Sequence, residues 1–256
     1  SEALTFDFDA SIDMNYPLVW TGSVFAVSWM QGGGMTVNPI PYLGFIDETG
    51  SWISSDTPVV DESWGGSTQM SMLVWTGSEL DLFFQSSPTG YHHWYMARFQ
   101  PDGTKIGSEV LIVDTENASS FSAPVFTGSE WGFAWEHMPS PDRTDVYMTR
   151  FTADGTVLAS AVQLTDTSSY SVAASLCWSG SEYGLAWQED LGEGVCDIMF
   201  KRVGPEGAVL TSSLNLSASS EMAHMPQVLW NGSAYGVFWH SMTGSLTELV
   251  LTNIGP

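Results

Sequence analysis

Lysine and arginine are scarce in this chain: six against 29 aspartates and glutamates, for a formal net charge of −23. A surface of that sign repels phosphate backbones and anionic lipid headgroups, so nucleic acid is not an expected partner. No run of about twenty apolar residues occurs, and no membrane span is expected. Cysteine is nearly absent, with only Cys177 and Cys196, too few for a Cys-rich zinc module. Also missing are a phosphate-binding loop, a dinucleotide fingerprint, a Ser-His-Asp motif and the spacing of an EF-hand. Motifs alone therefore offer no support for catalysis.

What the chain does have is a repeat. An aromatic residue, a Thr/Ser/Asn-Gly-Ser turn and a second aromatic nine residues after the first recur at Trp20/Trp29, Trp75/Phe84, Phe126/Trp135, Trp178/Trp187 and Trp230/Trp239. A period of about fifty residues with short strands and glycine turns is the signature of a β-propeller, one blade per copy. In the fourth copy, Ala174–Trp178 reads as strand A, Glu182–Trp187 as B, Cys196–Val203 as C and Ala208–Leu216 as D. Bulky residues alternate with small ones along strand B, as in Tyr183, Leu185 and Trp187 against Gly184 and Ala186. Period-two alternation marks a strand, and a bulky face opposite a small one lets neighbouring copies pack large against small. The second copy departs from this, with Asp81 and Phe83 at the small positions. Cys177 falls on strand A and Cys196 on strand C, about 10 Å apart across B, whereas a bridge needs Cα atoms within about 7 Å. Two free thiols are expected.

The fifth copy ends after strand C, while Ser1–Asp7 at the N-terminus resembles the D strand Ser108–Asp114. The expected fold is thus an all-β, five-bladed propeller of four-stranded antiparallel blades. It forms a single domain over 1–256, with the N-terminal strand closing the last blade and pairing an edge that would otherwise invite aggregation. The acidic surface, the Ser/Thr/Gly-rich loops and a start at Ser1 point to a secreted or extracellular protein, trimmed of a signal peptide or excised from a longer chain.

The loops joining B to C and D to A vary among copies, whereas the A-to-B turns are nearly uniform, so the first set is the candidate functional face. All five histidines, His92, His93, His137, His224 and His240, fall in or beside those loops, with many of the methionines. Three readings stand side by side. Trp64, Tyr91, Trp94 and Tyr170 form a stacking platform for a sugar, with His92, Glu136, His137 and Gln188 supplying hydrogen bonds. His224, Met225 and His240 form a soft-metal site suited to copper. The third reading is structural: the methionines are adaptable packing and the histidines ordinary loop residues. The residues after the second aromatic, Met30, Gln85, Glu136, Gln188 and His240, should line the ends of the B strands.

Glycosidases of this architecture need an acid and a base, yet no A strand carries Asp or Glu. The acidic clusters, including Glu189, Asp190 and Glu193, fall in expected loops, where calcium or plain solvation accounts for them. Arg98 and Arg150 occupy matching strand C positions, which points to a repeated structural role.

The run Trp178-Ser179-Gly180-Ser181-Glu182-Tyr183-Gly184-Leu185-Ala186-Trp187 resembles repeats of secreted bacterial propellers, notably myxobacterial ones. In blade number the chain is similar to the tachylectin-type lectins, without their sugar-binding motif. This resemblance implies a scaffold. The function expected from the sequence is a non-enzymatic binding module that recognises a glycan or an extracellular protein partner. A copper- or calcium-binding propeller and a glycoside hydrolase are the alternatives.

Overall fold

A computed structural model describes residues 17–32, 38–61, 64, 66, 68–87, 92–114, 118–192, 194–217, 222–243 and 246–256. The described residues form strands and turns, with no helix. They fall into two compact units, Ser1–Glu116 and Asn117–Pro256.

The first unit holds two four-stranded antiparallel sheets. One runs β1 (Leu18–Trp20), β2 (Phe25–Gln31), β3 (Ile40–Ile46), β4 (Trp52–Pro58); the other runs β5 (Thr68–Trp75), β6 (Leu80–Ser86), β7 (His93–Phe99), β8 (Lys105–Val113). Each sheet is one copy of the repeat in the order A-B-C-D. Ala26, Leu43 and Phe45 of the first cluster with Leu73, Leu82 and Phe84 of the second, burying the apolar faces that the alternation marks out.

The second unit holds three copies. The first comprises β9 (Ala118–Phe121), β10 (Val125–Phe126), β11 (Glu130–Ser140), β12 (Arg143–Thr152) and β13 (Val162–Gln163). The next comprises β14 (Tyr170–Trp178), β15 (Tyr183–Gly192), β16 (Val195–Val203) and β17 (Leu214–Asn215). The last comprises β18 (Met222–Trp230), β19 (Tyr235–Thr243) and β20 (Leu246–Ile254). Single parallel pairs, Thr144 with Tyr170 and Cys196 with Met222, join successive copies.

The repeated turn follows from its residues. Its glycines, Gly22, Gly77, Gly128, Gly180 and Gly232, all have φ between +97° and +102°, a region that costs other residues a steric clash. The preceding side chain closes the turn: Thr76 Oγ1 accepts from Glu79 N, Ser179 Oγ from Glu182 N and Asn231 Oδ1 from Ala234 N.

Copies in the second unit pack large against small. A Cβ on Gly132 would lie 2.6 Å from the Tyr183 ring, and one on Gly184 2.6 Å from Tyr235. Two polar brackets also recur. Arg98, Arg150 and Arg202 on the C strands bind Glu79, Glu130 and Glu182 at the start of the B strands, the repeated role expected of the arginines. Thr165 and Gln163 donate to Asp145, just as Ser217 and Asn215 donate to Asp197.

The elements differ from expectation in length. Strand B of the fourth copy continues past Trp187 to Gly192, and strand D shrinks to Leu214–Asn215. Polar residues after the aromatic keep the backbone ladder although the apolar pattern stops, so segments read as loops are strand. Both cysteines are free and buried. The segment 1–7 assigned to ring closure lies outside the described residues. Among the described residues, β20 pairs with β19 alone, and Leu246, Leu249 and Leu251 are each more than 60% exposed.

Candidate functional site

The seam between the first two copies of the second unit gathers buried carboxylates. Along β11, Trp131, Phe133 and Trp135 face one way and Gly132, Ala134 and Glu136 the other. Ala134 packs with Tyr183, Leu185 and Trp187 of β15. One step further along each strand stand Glu136, 3% exposed, and Glu189, 6% exposed.

Both carboxylates are held by β14. Glu136 Oε1 accepts the backbone N–H of Ala173 at 2.7 Å. Glu189 Oε2 accepts Ser171 Oγ at 2.7 Å and the Trp187 indole at 2.9 Å, and Oε1 accepts Ser169 Oγ. The anchor points Ser171 and Ala173 are two residues apart on β14. Ala173 sits at φ 51° where the β14–β15 register slips between Val172 and Ser175. A bulge releases an N–H from the ladder, and here that N–H goes to Glu136. Left-handed backbone in a residue with a Cβ costs on the order of 1–2 kcal/mol; Met225, the matched residue of the last copy, has φ 54° at the same bulge, so the conformation belongs to the repeat.

The other seams inside the two units lack this pair. Matched positions are Gln188 and Ser241 in the next seam and Met30 and Ser86 in the first unit. The remaining acids of the second unit that are buried serve the repeated brackets: Glu182 is held below the usual carboxylate range by the Arg202 guanidinium, assisted by the Tyr235 hydroxyl. Asp81, 1% exposed, is a buried carboxylate of the first unit and stands at a position that other copies fill with glycine or alanine.

Beside Glu189 lies a cation. Lys201 Nζ sits 5.0 Å from the Trp187 ring centroid and donates to the Leu164 carbonyl. Burial pushes its pKa below the usual lysine value, with the Glu189 charge acting in the opposite direction. Lys201, Trp187, Gln163, Thr165, Asp166 and Ser213 line a cleft of ≈ 400 Å³.

The expected stacking residues fall in both units. Trp94 is fully buried and offers no ring face to a ligand. Trp64 donates its indole N–H to Ser86 Oγ at 2.7 Å and packs edge-on against Phe84 and Tyr95. Tyr91 lies outside the described residues. His92 is half-buried, and His93 Nδ1 stands 3.1 Å from Asp114 Oδ1. In the second unit, Tyr170 donates its hydroxyl to the Pro141 carbonyl at 2.7 Å, and His137 meets Trp135 and Tyr147 edge-on. The Gln188 amide donates to Cys196 Sγ at 3.4 Å. Of these residues, Glu136 alone belongs to the carboxylate pair.

The metal candidates His224 and His240 are direct cross-strand partners, while Met225 sits in a bulge at φ 54°. Among the described residues, no three of His, Cys, Asp and Glu converge on a site for one ion. Glu189 was missed by reading strand B as ending at Trp187, whereas Lys201 fell within the expected strand C without being singled out. The available signal was the serine pattern at 169 and 171, opposite the acid.

No protein-family model matches the sequence, and no curated protein does. Solved structures do share its fold. An α-L-arabinofuranosidase from Fusarium graminearum in complex with an iminosugar inhibitor matches at TM-score 0.58 and 9% identity, over 91% of this chain and 72% of that one. An exo-β-1,3-galactanase from Clostridium thermocellum matches at TM-score 0.51 and 12% identity, over 93% and 58% of the two chains. The catalytic domain of a Coprinopsis cinerea α-L-arabinofuranosidase matches at TM-score 0.50 and 8% identity, over 93% and 89%. The chain is thus similar in fold to enzymes that cleave glycans. That finding corrects the expectation of a non-enzymatic binding module, which rested on A strands without acids and on an acidic stretch misread as loop.

Proposed function

We propose that this protein is a glycoside hydrolase, with Glu136 and Glu189 as its two carboxyl groups. The observation that carries the reading is their burial in one seam, anchored two residues apart on β14 where matched seams hold neutral residues. Glycosidases work with two carboxyl groups roughly 5–9.5 Å apart, and anchors two residues apart on one strand hold Glu136 and Glu189 as neighbours. Glu189, whose oxygens are met by Ser169, Ser171 and Trp187, has the donors that suit the anionic partner. It takes the proton of an attacking water or itself attacks the anomeric carbon. Glu136 gives its proton to the leaving glycosidic oxygen, and water supplies the atoms that complete the two sugar products. Fold analogy supports an arabinose- or galactose-containing polysaccharide as the substrate class.

The same proposal extends to the architecture and setting. Five copies of the repeat, and the pairing of β20 with β19 alone among the described residues, support a five-bladed propeller with residues 1–7 as the fourth strand of the last blade. No helix among the described residues is long and apolar enough to cross a membrane, and a polymeric substrate of this kind supports secretion. The test is release of reducing sugar from arabinan, arabinoxylan and β-1,3-galactan. Cleavage of at least one polymer by the wild type, lost in Glu136→Gln and Glu189→Gln, supports the reading. Failure on all of them, or activity in both variants, removes it.

A further inference from the structure

The last copy of the repeat carries a group of side chains that neither the fold nor the proposed hydrolysis uses. β18 and β19 pair antiparallel with Met222 opposite Met242, Ala223 opposite Ser241 and His224 opposite His240. Paired residues share a face and successive residues alternate, so Met222, His224, His240 and Met242 stand together on one face. Ala223, on the other face, is fully buried. The quartet face is open: Met222 is 39% and Met242 36% exposed, and His240 is exposed. The two imidazoles lie 5.6 Å apart between centroids and are tilted by 43°. His224 is half-buried, and its Nδ1 is shielded from solvent without a hydrogen-bond partner.

We propose that these four side chains form a binding site for a soft monovalent cation of the copper group, Cu(I), with two imidazole nitrogens and two thioether sulfurs as ligands. Thioethers select Cu(I) over harder ions and imidazole suits copper. Cβ atoms of directly paired residues are roughly 4.5–5.5 Å apart, a span that lets facing side chains reach one ion. The matched positions in the preceding copy are Tyr170 opposite Asp190 and Val172 opposite Gln188, so the repeat itself does not require sulfur and imidazole there. The charge of −23 favours any cation at the surface but does not distinguish soft from hard; the ligand chemistry does.

Two neighbouring sulfurs fall outside the set. Met225, 64% exposed, occupies the bulge where the ladder slips between His224 and Gln227. The Cys196 thiol, beside Met222 in the parallel pair, accepts the Gln188 amide. The proposed set differs from the sequence-based one of His224, Met225 and His240, with the bulged methionine replaced by the two that remain in register.

The experiment is an anaerobic titration of the full chain with Cu(I) against a chromophoric Cu(I) chelator. The expected result is one Cu(I) held per chain, with affinity falling at least tenfold in Met222→Leu, Met242→Leu and His240→Gln while the metal-free melting temperature is unchanged. Because these side chains are exposed, the variants should fold. No Cu(I) retained against the chelator overturns the proposal. So does retention that is indifferent to all three substitutions, or tighter binding of Zn(II) than of Cu(I) at the same residues.

Discussion

At the scale of single residues, the sequence is most legible where one side chain has one job. The turn glycines were readable because a hairpin that needs positive φ admits little else. The strand B glycines were readable as the small half of a large-to-small contact, and that contact is tight. Gly184→Ala places a Cβ 2.6 Å from the Tyr235 ring, an overpacking expected to cost about 1–3 kcal/mol, measurable by urea unfolding. The thiols give a second prediction. Burial raises the Cys177 pKa from 9.0 to about 11, so the folded state disfavours the thiolate. That contribution to stability is intact below pH 9 and declines as pH rises through about 11. A disulfide reagent at pH 8 should leave Cys177 unmodified until denaturant is added; rapid modification in the native state would contradict its burial.

Individual elements were read less well, and for one physical reason. Apolar alternation marks where a strand is buried, not where its hydrogen bonds end. Strand B of the fourth copy was therefore cut at Trp187, and Glu189 was assigned to a solvated loop. The D strand of the fourth copy was overdrawn because a two-residue ladder leaves almost no pattern. By contrast, matching arginines on successive C strands did reveal a shared role, since a bracket repeated at a fixed period leaves a trace in the sequence. Arg202→Met should cost about 1.5–3 kcal/mol, the range for hydrogen bonds to a charged group, because Glu182 is 8% exposed and retains only the Tyr235 hydroxyl. The pH dependence follows from the depressed Glu182 pKa: the stability it contributes is present above the ordinary carboxylate value and is lost as pH falls through the folded value. Acid titration of stability should accordingly flatten in Arg202→Met. A variant as acid-sensitive as the wild type would show that the bracket is not the source.

For the whole molecule, five copies were countable in the sequence, and the all-β fold is the one observed. The candidate site was only half legible. Glu136 stood out by position, but its partner came into view only when β14 and β15 placed Ser169, Ser171 and Trp187 around Glu189. Convergence of residues on different strands is a tertiary fact that no local pattern encodes. If residues 1–7 complete the last copy, deleting them should lower the melting temperature and promote aggregation through the free edge of β20; an unchanged melting temperature would remove that strand from the fold. The most direct test of the account is kcat/KM on an aryl α-L-arabinofuranoside for the wild type, Glu136→Gln, Glu189→Gln and the double variant, each checked for native melting. The account predicts losses of about a thousandfold or more in each single variant and little further loss in the double, as for groups that act as a unit. Activity within tenfold of the wild type in either single variant would contradict it.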